Sequence, residues 1–131
     1  MSAVASSESP NGSLRRAVEA AEERKAIDLR VLDLHSISDF TDYFVICSGA
    51  SQRQVQAIAE AIEEALGKRG VAAHHVEGAQ QGRWILLDYG DFVVHVFDPE
   101  RRDFYRLEDI WSDARDVTGG FLDRASPRAD P

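Results

Sequence analysis

Cysteine is almost missing from this chain. The single thiol, Cys47, excludes an internal disulfide, and its place in the apolar run Tyr43-Phe44-Val45-Ile46-Cys47-Ser48 gives it no cation that would make it reactive. It is expected to be a buried packing residue. Positive charge is also short: 15 Lys and Arg against 23 Asp and Glu leave a formal charge of −8. Extensive direct nucleic-acid binding is thereby excluded, since that mode relies on cations displacing counterions from phosphates. No apolar run approaches the roughly 20 residues of a membrane span. The opening residues Met1-Ser2-Ala3-Val4-Ala5-Ser6-Ser7-Glu8 lack the basic start and apolar centre of a secretory signal, so a cytoplasmic location is expected, with no membrane partner. There is no internal repeat.

What remains fits one globular domain. The chain has 131 residues, 44% of them apolar and 29% charged, and at this size a core burying about two thirds of the unfolded surface is feasible. Residues 1–12 are rich in Ser, Ala, Pro and Gly and read as a flexible lead-in. Ser13 then reads as the cap of a first helix over residues 14–25, where Leu14, Ala17, Val18 and Ala21 recur at helical spacing. Alternation at Ile27, Leu29 and Val31 indicates a first strand, a turn follows at residues 36–39, and residues 42–48 form a second, central strand.

Ser51 and Gln54 form a capping box, so a second helix starts there with Val55, Ile58, Ala59, Ile62 and Leu66 on its apolar face and Gly70 as its stop. Residues 71–77 read as a third strand and residues 78–82 as a polar loop. Two buried strands joined by a tight turn follow at residues 84–97. Pro99 ends the last of these, and Phe104, Leu107, Ile110 and Trp111 give residues 103–111 a final helix. Gly119, Gly120 and two prolines make residues 118–131 a mobile tail, leaving a single domain over 13–117. The order α-β-β-α-β-β-β-α implies an α/β fold, a mixed five-stranded sheet with flanking helices. The strand–helix–strand passage over residues 43–77 is expected to be a right-handed crossover.

The hairpin is the most informative segment. From Glu77 to Asp98 it carries four carboxylates (Glu77, Asp88, Asp91, Asp98) and one cation, Arg83, so a ligand meets aromatic surface and negative charge. A basic protein suits that surface better than phosphate. Trp84 and Tyr89 are its candidate apolar anchors, with Asp88 and Asp91 as charge partners, although a tryptophan opening a strand serves equally well as core. His95, in the apolar context Val94-His95-Val96, reads either as a core histidine bonded to a carboxylate or as part of that binding surface.

Chemistry finds little support. His74 and His75 are adjacent on a strand and point to opposite faces, which disfavours a shared metal. A nucleotidyl-transfer site needs two carboxylates one residue apart on the strand after the capped helix, but that strand reads Val71-Ala72-Ala73-His74-His75-Val76-Glu77. No catalysis, cofactor or metal is expected. Two competing readings remain: a divergent nucleotidyltransferase using Ser48 and Ser51, and an anion or nucleotide sensor at the capped helix beside Arg53.

The segments Asp39-Phe40-Thr41-Asp42-Tyr43-Phe44-Val45-Ile46-Cys47-Ser48-Gly49-Ala50-Ser51, Gln54-Val55-Gln56-Ala57-Ile58-Ala59, Glu77-Gly78, residues 84–97, and Phe104-Tyr105-Arg106-Leu107-Glu108 with Trp111 occur in one order and resemble the ribosomal silencing factor S family, also called Iojap-related proteins. The resemblance runs from about residue 14 to residue 111. It implies a nucleotidyltransferase-like fold without the catalytic carboxylates of that superfamily. It also implies a translational repressor that binds a basic protein on the intersubunit face of the large ribosomal subunit and sterically blocks the small subunit during starvation. Family members are often seen as homodimers, which makes a second copy an expected partner. The residues expected to meet the partner are Trp84, Asp88, Tyr89, Asp91 and His95.

Overall fold

The computed structural model describes residues 10–106 and 113–122. Its first helix, α1 (Pro10–Glu23), starts four residues earlier than the periodicity implies. Proline tolerates the first helical position because its ring presets φ and its missing N–H is not needed there. Ser13 therefore lies inside the helix, buried, and is not its cap. The turn after the helix puts Lys25 in a left-handed conformation, with Lys25 N–H donating to Glu22 C=O and Ala26 N–H to Ala21 C=O.

Strands β1 (Ile27–Asp33) and β2 (Tyr43–Ser48) pair antiparallel, with an irregularity after Ile27 where Asp28 takes φ 51°. Helix α2 (Gln52–Gly67) follows, and its buried residues include Val55, Ile58, Ala59, Ile62 and Leu66, the face read from the sequence. Ser51 Oγ accepts from Gln54 N–H at 3.1 Å, while Gln54 Oε1 takes the N–H of Ala50 and not that of Ser51. Gln54 Nε2 also donates to the carbonyls of Arg24 and Lys25, tying α2 to the end of α1.

The expected third strand shrinks to β3 (His75–Glu77), because residue 71 is still engaged in closing α2 through Val71 N–H to Leu66 C=O. Strands β4 (Trp84–Asp88) and β5 (Phe92–Phe97) form the expected hairpin. Its turn uses Gly90 at φ 87°, a value an L side chain rarely adopts. Helix α3 (Pro99–Tyr105) is capped by Asp98, whose side chain accepts from Arg101 N–H. It opens earlier than the expected helix over 103–111, and Leu107, Ile110 and Trp111 lie outside the described residues.

Two further elements were not expected. Strand β6 (Arg115–Asp116) pairs with β1, so the sheet has six strands and not five. Helix α4 (Thr118–Leu122) lies inside the segment expected to be a mobile tail. Thr118 Oγ1 accepts from Val31 N–H at 2.8 Å, Arg15 lies over the Phe121 ring, and Phe121 packs edge-on to Tyr43. Residues 1–9 and 123–131, the rest of the expected lead-in and tail, lie outside the described residues.

The sheet order is β3-β4-β5-β2-β1-β6, with β2–β5 the parallel pair. Helix α2 thus carries the chain from β2 across β5 and β4, which it contacts, to the far edge at β3. Alternation assigns the two faces. Leu29, Val31, Val45, Cys47, Ile85, Leu87, Phe92, Val94 and Val96 form the main core with α1 and α2. Leu32, Leu34, Ile46 and Phe97 form a smaller cluster on the other face, with Phe44 and Trp84 packed against it.

Candidate functional site

Residues paired directly across two antiparallel strands share a sheet face. The pairs Trp84↔Phe97, Leu86↔His95 and Asp88↔Val93 therefore lie together on the face opposite α1 and α2, and Phe44 joins them from β2. Trp84 stacks on Phe97 at 5.1 Å between ring centroids, and Phe44 meets His95 edge-on at 4.6 Å. This is an aromatic strip across three strands.

Its floor is a hollow of about 210 Å³ lined by Ser38, Phe40, Thr41, Phe44, Leu86, Asp88, Val93 and His95. The loop before β2 builds one wall. Ile37 and Ser38 donate backbone N–H groups to Leu34 C=O, and Ser38 Oγ accepts from Phe40 N–H, which leaves the Phe40 ring 92% exposed at the rim. The loop is fastened to the hairpin turn where Asp42 N–H donates to Asp91 C=O at 2.9 Å.

Four of the five residues singled out from the sequence belong to this face or its rim. Trp84 is half-buried, and its indole N–H donates to His95 Nδ1 at 3.1 Å. His95 is 4% exposed, and desolvation pushes its pKa down to about 4, so the ring is neutral at physiological pH. Its partner is the indole and not a carboxylate. Asp88 reaches the hollow and accepts from Gly90 N–H at 2.8 Å, while Asp91 is exposed on the turn.

Tyr89 is not on this face. It shares the parity of Ile85 and Leu87, stacks on Phe92 at 5.1 Å, and is 6% exposed within the helix-side core. Burial, followed by the charge of Glu63, raises its pKa to about 12. Strict alternation along β4 already separates Tyr89 from Trp84, although the sequence reading grouped the two as anchors of one surface. Sequence reasoning missed Phe40, Phe44, Leu86 and Val93 as neighbours of Trp84 and His95. The same parity argument, applied across the β2–β5 pair, finds all but Phe40.

A glycine secures the strip. A Cβ on Gly78, which sits at φ 79°, would overlap the carbonyl oxygen of Trp84, so the approach to β4 requires glycine. The remaining candidates carry less. Cys47 is fully buried and desolvation raises its pKa to about 12, as befits a packing residue. At the start of α2 the Gln54 N–H is taken by Ser51 Oγ and the Ala50 N–H by Gln54 Oε1, two donors that an anion cradle there would use. His75 Nε2 is 2.6 Å from Glu77 Oε2. Among the described residues no group of three or more His, Cys, Asp or Glu could hold a metal ion, and no helix is long and apolar enough to cross a membrane.

An α/β module with one helix-covered sheet face and one aromatic face edged by carboxylates has the anatomy of a binding protein. The comparisons name the group. A family model described as "Ribosomal silencing factor during starvation" matches residues 6–130, and the chain belongs to that family. The ribosomal silencing factor RsfS of Bacillus subtilis is 44% identical over 101 residues, 77% of this chain and 86% of the relative. The chloroplastic protein Iojap of Zea mays is 35% identical over 98 residues, covering 75% of this chain and 42% of that protein. Protein CV0518 from Chromobacterium violaceum has a similar crystal structure: TM-score 0.77, 35% identity, 79% of this chain and 87% of that one. A crystal structure from Bacillus halodurans gives a TM-score of 0.71 at 40% identity, over 77% of this chain and 94% of the other.

Proposed function

We propose that this chain is a translational repressor that acts by docking and by volume, without catalysis. Its aromatic sheet face binds a basic protein on the intersubunit face of the large ribosomal subunit, and the bound domain fills space the small subunit needs. The observation that carries this is the Trp84–His95–Phe44 strip in a chain of the ribosomal silencing family. Large aromatic surface left half-open on a sheet is the usual energetic centre of an interface.

Asp88 and Asp91 supply the complementary charge for a cationic partner, which steers encounter and makes binding weaken with salt. Trp84 and Phe44 make the apolar contact, with the buried His95 holding the indole in place and Tyr89 supporting the hairpin from behind. The scaffold is a nucleotidyltransferase-like sheet whose use is recognition, and the site of action is the cytoplasm. A second copy seated on the same face would compete with docking, and a monomer at micromolar concentration in analytical ultracentrifugation removes that competition.

Cosedimentation with purified large and small subunits at several salt concentrations tests the proposal. Recovery with large subunits alone, weakening as salt rises and reduced in W84A and D91A, is expected. Equal recovery with both subunits, or normal subunit joining at saturating amounts of the protein, overturns it.

A further inference from the structure

The loop of residues 34–42 builds one wall of the hollow and carries Phe40 at the rim, so whatever holds its neck closed sets where that ring stands. Backbone bonds begin the work. Leu34 N–H donates to Asp42 C=O at 2.7 Å, and Asp42 N–H donates in turn to Asp91 C=O at 2.9 Å. Asp42 is thus the junction between the loop and the hairpin turn.

Across the neck from Asp42 stands His35, and both of its ring nitrogens look at carboxylates. Nδ1 lies 2.6 Å from Asp33 Oδ1 at the end of β1, and Nε2 lies 3.5 Å from Asp42 Oδ1 just before β2. The same Asp33 oxygen accepts His35 N–H at 2.9 Å, and Tyr43 meets the ring edge-on at 5.2 Å between centroids. The ring is held on three sides. A carboxylate can only accept, and a neutral imidazole has one N–H, so its other nitrogen would turn a lone pair toward an anion. Only the imidazolium suits both neighbours.

Among the described residues the charged and titratable groups around this ring are Asp33 from β1, Asp42 and Tyr43 at the start of β2, and Arg115 from β6, whose charge acts on Asp33 and Tyr43. The hydrogen bond to Asp33, followed by the charges of Asp42 and Asp33, raises the His35 pKa against desolvation that lowers it.

We infer that His35 is a positioning residue for the docking face: as an imidazolium it staples Asp33 to Asp42 across the neck of the 34–42 loop and so holds Phe40 ready for the partner. Loss of the proton leaves one donor, which keeps Asp33 and releases Asp42. The backbone bonds remain, so the loop loosens without opening. A wall ordered beforehand costs less to bind than one that must be ordered on contact, so docking is tighter below the folded-state pKa of His35 and weaker above it. His95, with its pKa near 4, takes no part between pH 6 and 8.

The inference rests on the docking reading above, and its test separates the two. Affinity of the full chain for purified large subunits is measured from pH 6 to 8 at fixed ionic strength, for wild type, H35N and H35K. H35N keeps one donor toward Asp33 and carries no charge, while H35K keeps a cation throughout. Because His74 and His75 are common to all three chains, the ratio between chains isolates position 35. Wild type is expected to exceed H35N by roughly three- to fivefold at pH 6, the reach of an exposed ion pair, and to converge on it by pH 8. H35K is expected to keep the advantage at both ends. A constant ratio of wild type to H35N across the range overturns the inference and leaves docking standing.

NMR of the free chain reads the staple with no ribosome present. The Phe40 and Asp42 amides are expected to shift with a midpoint above 6.5 that matches the His35 ring in wild type, and to lose that transition in H35N. Amides that stay still while His35 titrates overturn the inference even if no chain binds a large subunit.

Discussion

The two faces of one sheet are built from the same strands and serve opposite ends. On the face toward α1 and α2, Val45, Val94, Val96 and Leu87 are fully buried, and the side chains meeting them come from helices at regular spacing. On the other face the same strands present Phe44, Leu86, Val93 and a half-buried Trp84, with a hollow in place of a helix. The covered face carries stability and the open face the proposed recognition, and on that side Thr41 Oγ1 and His95 Nε2 are buried with no hydrogen-bond partner among the described residues. A β-strand allows this division because successive side chains alternate, so each strand contributes to both tasks without conflict.

Substitutions can break that comparison, starting with the largest effect. Ile58→Ala on α2, fully buried in the covered face, should destabilise the chain by about 2–5 kcal/mol in urea unfolding, through lost transfer energy and a residual cavity. Next comes pH. The folded-state value of His95 lies below its ordinary 6.5, so between about 4 and 6.5 the unfolded chain binds more protons than the native one. Stability is then fully present above 6.5 and declines as pH falls, by up to about 3 kcal/mol, and this component should vanish in H95N.

His35 has the opposite sign. Its hydrogen bond to Asp33 raises its pKa, so any contribution is present below 6.5 and lost as pH rises through the folded value. Ser51→Ala, which removes the Oγ acceptor for Gln54 N–H, should cost about 1 kcal/mol in the same unfolding assay. The smallest stability effect belongs to Phe40→Ala, which should stay within about 0.5 kcal/mol of wild type yet weaken cosedimentation with large subunits. A Phe40 variant that unfolds easily, or an Ile58 variant that does not, would erase the distinction between the faces.

Local signals in the sequence were read well where they were strong. The Ser51 and Gln54 cap, the apolar spacing of α2 and the hairpin over residues 84–97 are each written within a short window. Elements held by tertiary contact were not legible. β6 is two residues long and exists through pairing with Leu32 and Asp33, and α4 contains Gly119 and Gly120, which local propensity counts against a helix. Neither β6 nor α4 announces itself without β1 alongside.

The site was half legible for a related reason. Trp84, Asp88, Asp91 and His95 stand out by type, and their common face or rim follows from the hairpin. Tyr89 was grouped with Trp84 by residue type, while its parity with Leu87 turns it inward. Phe40 could not be placed, since a loop side chain has no period to read.

The parallel seam between β2 and β5 joins strands from opposite halves of the chain, whereas β1–β2 and β4–β5 are neighbours in sequence. Closing a long loop is entropically costly, so the two antiparallel pairs can form early and the seam between them late. Phe44 stands on one side of that seam and His95 on the other. The aromatic strip therefore comes into existence only when that long-range seam closes, and under the proposed docking a nascent or partly unfolded chain lacks the surface with which to hold a large subunit.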